Sequence, residues 1–204
     1  MVKASASPTR NPQVKSIVVL LLAIASSVAL GLWSAWLAVR SPAPVDTISL
    51  GPWQAWPNAG TPNADPYSRA RLARTGEIPL GSGEGLMLLA LTDDAGDALS
   101  ASCDYTIAGQ TPPARLWTVS LENRDGHVVK ERDGVAALGS DTLLREGDGS
   151  FKIALASRPQ SGNWLSTQDA ARFRVVVRLY DTTARTGTEL TTLVMPHITR
   201  DRCT

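Results

Sequence analysis

A run of 23 residues from Ile17 to Val39, IVVLLLAIASSVALGLWSAWLAV, contains no charged side chain. As a helix it would reach roughly 34 Å, enough to cross a hydrocarbon core of about 30 Å with some tilt. Trp33 and Trp36 lie near its C-terminal end, where amphipathic rings favour the headgroup region. The flanks set an orientation. Residues 1–16 carry Lys3, Arg10 and Lys15 and no acid, whereas the chain after the span has 17 basic and 19 acidic residues. By the positive-inside rule, 1–16 is expected to be a cytoplasmic tail and 17–39 a span of the bacterial inner membrane, with the C-terminal part periplasmic. A cleaved signal peptide is the rival, with Ala29-Leu30-Gly31 as a poor cleavage site. The apolar run is longer than a usual signal core and continues past that site, which favours a retained anchor. Ala23, Ser27, Gly31 and Ala35 recur every four residues on one helix face. Such a stripe permits close helix packing and a homodimer through the span, although membrane helices are generally rich in small residues.

The whole chain balances 20 Lys and Arg against 19 Asp and Glu, which argues against a nucleic-acid partner. Its two cysteines, Cys103 and Cys203, both follow the span. An oxidising compartment permits a structural bridge between them, with two separate thiols as the alternative. Neither belongs to a C-x-x-C pair, so thiol-redox catalysis is not expected.

Residues 40–64 include Pro42, Pro44, Pro52, Pro57 and Pro62 and read as a stiff linker, with a short strand at Thr47–Leu50. Asp65-Pro66 followed by YSRARLAR and Gly76 predicts a capped, basic short helix. Its arginines suit a solvated face or contact with anionic lipid. Beyond Gly85 the pattern turns to strands. Trp117, Val119 and Leu121 share one face, as do Phe151, Ile153 and Leu155, and Phe173, Val175, Val177 and Leu179. Glu189–Met195 is the last strand expected. Short strands, turn signals and one helix predict a mainly β chain whose domain, residues 65–204, is an antiparallel β-sandwich.

The stretches GLMLLALTDDAGDALSASCDY, TPPARLWTVSLENRDG, DGSFKIALAS, SGNWL and FRVVVRLYD, in that order, resemble the bacterial domain of unknown function 1214. The resemblance covers roughly residues 65–204 and implies a jelly-roll-like β domain. It also implies a short, membrane-anchored form, since longer members carry another uncharacterised domain ahead of this one. The sequence departs from the family at Leu165-Ser166, where Leu-Pro is usual, and at Glu122-Asn123, where Tyr-Asp is usual. The family has no agreed activity and supplies no catalytic residue.

The residues carry few signs of chemistry. His127 and His197 are the only histidines and are not spaced as a metal pair. Asp93, Asp94 and Asp97 lack the arrangement of a calcium loop. No G-x-S-x-G elbow occurs, and the glycine run at 81–85 precedes a strand instead of a helix. No metal, cofactor or catalytic residue is expected. One constellation suits a ligand or partner surface: Asn163 and Trp164 in a loop, with Tyr105, Trp117, Arg178 and Tyr180 from other strands. The plainer reading makes the tryptophans core residues and Asn163 a loop brace. The expected role is an envelope-associated binding or assembly module meeting a glycan, lipid or protein. The rival is a hydrolase of an envelope glycan or lipid using carboxylates such as Asp104.

Overall fold

The computed structural model describes residues 12–40, 47–81, 83–123, 126–129, 135, 137–168, 170–183, 190 and 193–203. The chain divides into two compact units, Met1–Pro42 and Ala43–Thr204.

Among the described residues, the first unit is the helix α1 (Pro12–Arg40), which starts five residues before the uncharged run. Its apolar side chains are exposed along its length, and it is long and apolar enough to cross a membrane. The hydroxyls within it do not break the apolar character. Ser26 and Ser27 both donate to the Ala23 carbonyl and Ser34 donates to that of Gly31, so no serine needs water. At the C-terminal end, Trp33 and Trp36 lie 5.6 Å apart and the Arg40 guanidinium sits 3.9 Å over the Trp36 ring.

The second unit is built from β1 (Ile48–Leu50), β2 (Trp53–Ala55), α2 (Pro66–Thr75), β3 (Gly85–Ala90), β4 (Cys103–Gly109), β5 (Ala114–Asn123), β6 (Ala137–Gly139), β7 (Phe151–Ala156), β8 (Asn163–Ser166), β9 (Phe173–Thr182) and β10 (His197–Cys203). Six strands form one sheet in the order β1-β2-β3-β9-β5-β6, and four form another in the order β10-β4-β7-β8. All neighbours are antiparallel except β7 and β8, which run parallel. The small sheet is therefore mixed where an antiparallel one was expected, because a loop of six residues returns the chain to the same end of β7.

Alternation makes the core. Leu86, Leu88, Val119, Val175 and Val177 point inward from the large sheet, and Ile107, Ile153, Leu155, Leu165 and Ile198 from the small one. Trp117 packs 5.1 Å from Phe151, and Tyr105 meets Phe173 edge-on at 6.0 Å. The large sheet is also covered on its outer face. Met87, Leu89 and Val176 form a second cluster with Trp56, Leu80 and Leu91, which explains why every residue of β3 is buried.

Two expectations shift. Part of the expected linker is folded into the domain: β1 and β2 pair as a hairpin, β2 pairs with β3, and the Trp53 indole donates to the Pro196 carbonyl at 2.7 Å. The apolar side chains of Trp53 and Ala55 complete the core edge and outweigh the proline-rich composition. The last strand is β10, beginning after the expected Glu189–Met195, of which Glu189, Thr191 and Thr192 lie outside the described residues. Only Ile198 is buried in β10, so no hydrophobic alternation marks it in the sequence.

Candidate functional site

The expected surface of six residues is divided by the sandwich. Tyr105 and Trp117 are not surface residues: both rings are buried in the core, where the period of two sends them with Ile107 and Val119. The Tyr105 hydroxyl accepts the Ser100 amide at 3.1 Å and is thereby satisfied. Arg178 and Tyr180 project from the opposite face of β9 to Leu179, on the outer side of the large sheet. Asn163 and Trp164 belong to β8, at the edge of the small sheet. Asn163 braces the loop by accepting the Leu144 amide and donating to the carbonyls of Leu144 and Lys152, at 2.8–2.9 Å. Trp164 stands in register with Ala154, so its ring lies on the outer face of the small sheet. It joins neither apolar cluster, is half-buried, and donates its indole N–H to the Ala156 carbonyl at 3.0 Å.

Among the described residues, ionisable groups gather at two places that bear on function. The first lies between the outer face of the large sheet and the segment after α2. Arg174 Nη2 donates to Glu122 Oε2 at 2.6 Å and to Glu77 Oε1 at 2.7 Å. Arg178 Nη2 donates to the other oxygen of Glu122 at 2.7 Å. Arg174 and Glu122 side chains are 3% and 1% exposed, so this is an interior salt-bridge chain. Burial pulls the Arg174 pKa down, yet Glu77 and Glu122 outweigh it and leave the guanidinium raised and charged. The adjoining cavity, bounded by Trp56, Arg71 and Met87, measures about 20 Å³, room for a single water. Two carboxylates thus meet two guanidiniums with no space for a substrate. The cluster fastens the α2 segment to the sheet.

The second place is open. Across the outer face of the small sheet run two adjoining hollows of about 360 and 320 Å³, which share Thr106 and Ala154 as floor. One hollow is walled by Arg145, Lys152 and the loop Ser161–Asn163, the other by Asp104, Gln160, Asp201 and Arg202. Two of its acids are engaged: Arg202 Nε donates to Asp104 at 2.7 Å, and the Thr106 hydroxyl donates to Asp201 at 2.8 Å. The floor was not singled out from sequence. Its signal is the short side chains at alternate positions, Thr106 and Ala108 in β4 and Ala154 in β7, where a solvated strand usually carries long polar ones.

Among the other described residues, ionisable groups pair within turns or lie at the surface. Asp93 accepts the Ala95 and Asp97 amides of its turn and pairs with Arg200 at 2.7 Å. His197 lies 3.0 Å from Asp94 at the surface, and among the described residues no three potential ligands gather for a metal. Ala23, Ser27, Gly31 and Ala35 share an exposed face of α1.

Residues 84–184 match the family described as protein of unknown function (DUF1214). The chain carries a DUF1214 domain. The match runs from β3 to β9, so it includes Thr106, Ala154 and Trp164, while Asp201 and Arg202 on β10 lie beyond it. The crystal structure of the VPA0106 protein from Vibrio parahaemolyticus is similar to this chain, with a TM-score of 0.54 and 21% identity over 69% of it and 36% of that protein. An uncharacterised protein from Burkholderia cenocepacia gives a TM-score of 0.41 at 19% identity, over 56% and 28% of the two chains. The chain thus spans about a third of the length of these proteins, and the first shares the fold of the DUF1214 domain. No curated protein matches the sequence.

Proposed function

We propose that this chain is a single-pass inner-membrane protein that holds its DUF1214 domain in the periplasm as a non-catalytic binding or assembly module of the envelope. Residues 1–16 form the cytoplasmic tail and 17–39 the span. The domain boundary moves back to the β1–β2 hairpin. Three basic residues before the span and none acidic support the orientation, as does a cysteine pair joined in a disulfide, which persists in an oxidising compartment. The observation that carries the binding role is the open groove on the small sheet. Asp104 and Asp201, its two clearest candidates for acid–base work, are already held by Arg202 and Thr106.

Their presence in one hollow is also what favours the second reading, a hydrolase of an envelope glycan or lipid. Cell fractionation tests the main proposal. The uncleaved mass should stay with the inner membrane, and protease added to spheroplasts should reach the domain but spare a tag at residue 1. A soluble product lacking the apolar run would overturn the anchor, and protection of the domain would overturn the orientation.

A further inference from the structure

We infer that the groove on the outer face of the small sheet takes an uncharged oligosaccharide chain, an assignment that rests on the binding-module reading above. The groove carries balanced charge. Asp104, Glu146 and Asp201 line the two hollows together with Arg145, Lys152 and Arg202, three of each sign. Several are turned toward protein partners. Arg202 serves Asp104, Asp201 receives the Thr106 hydroxyl, and Arg145 donates to the Gly149 carbonyl at 3.0 Å. A surface of this kind has no net field to concentrate a polyanion or a phosphorylated headgroup, which proteins gather with an excess of Arg and Lys.

Shape and chemistry narrow the choice further. The combined hollows fall within the size range of ordinary ligand clefts, but they are open along the sheet and suit a chain better than an enclosed small molecule. The floor of Thr106 and Ala154 is low, and the walls offer both donors and acceptors, as successive sugar hydroxyls require. An apolar peptide would leave those polar walls unpaired, at a desolvation cost. Beside the floor stands Trp164, on the outer face and outside both apolar clusters. It neighbours the floor residue Ala154 across the strand pair, and its indole N–H is fixed to the carbonyl of Ala156, which lines the second hollow. An indole presents the broad apolar face on which a sugar ring stacks.

Calorimetric titration of the full chain provides the test, in a zwitterionic detergent without a sugar headgroup. The probes are N-acetylated chitotetraose and cellotetraose as neutral chains and tetragalacturonate as an anionic one. At least one neutral chain should bind saturably, with an affinity that changes little between low and high salt. Ala154→Phe, which fills the floor from the solvent side, should weaken binding roughly tenfold or more with the unfolding transition unchanged. Trp164→Ala should weaken it in the same direction.

Preference for the anionic chain, binding unaffected by Ala154→Phe, or no binding of either neutral chain would each overturn the assignment. A photo-crosslinker at Gln160 in intact cells separates the two levels of failure. A protein or lipid captured there without neutral-sugar binding sinks the glycan and leaves the binding module standing. No adduct and no sugar binding sinks both.

Discussion

Arg174 shows how one residue can change meaning between sequence and structure. In the alternating run FRVVVRLY it occupies the polar register and reads as solvent-facing. It is instead enclosed, because Glu122 from the neighbouring strand and Glu77, 97 residues away in sequence, reach it from two sides. Nothing local encodes the second contact. A buried ion pair adds little net stability over a well-packed apolar substitute, but breaking one leaves a charge stranded. Arg174→Ala should therefore destabilise the domain by about 3–5 kcal/mol in urea unfolding. Arg174→Met combined with Glu122→Leu and Glu77→Gln should recover much of that loss, and additive single effects would count against the coupling. The tryptophans show the same limit in another form. Trp117 sits in an alternating run, whereas Trp164 reads as a loop residue, and only the register of β7 with β8 assigns it to a strand and to the outside.

At the scale of elements, the most legible feature is α2. Asp65 accepts the amides of Tyr67 and Ser68, Pro66 opens the helix, and Gly76 closes it at φ 67° with its amide on the Leu72 carbonyl. All three were readable because capping chemistry is local. The cap also titrates. The Ser68 hydroxyl bound to Asp65, helped by the two amides and opposed by desolvation, lowers the carboxyl below its ordinary value of 3.8. Its stabilisation is complete above that unfolded value and is lost as pH falls through the lower folded one. Asp65→Ala should cost about 1 kcal/mol at neutral pH, and the difference from the parent should shrink in strong acid. A difference that stays constant to the lowest accessible pH would contradict the cap. Strands were less evenly legible. β5, β7 and β9 announce themselves by long alternation, whereas β8 has four residues and β10 only one buried side chain, so each is defined by the strand beside it.

For the molecule as a whole, the β class was visible in the sequence and the sheet order was not, since pairing β3 with β9 joins segments about ninety residues apart. The disulfide bears on that scale too. Cys103 and Cys203 face each other at the end of the β4–β10 pair, with Cα atoms 3.9 Å apart and a sequence separation of 100. Replacing both by serine should cost roughly 4–5 kcal/mol, mainly by freeing the unfolded chain. A midpoint shift well below that in reversible unfolding would point to residual structure in the reduced state. The same bond turns the covalent chain into a lasso. β4 to β10 lie on the ring, and both helices with β1, β2 and β3 lie on the tail. The large sheet is thus woven from both, with β3 of the tail beside β9 of the ring. A single protease cut anywhere on the ring cannot shed a fragment: the nicked protein keeps its full mass, and two pieces part only when a reductant opens the knot.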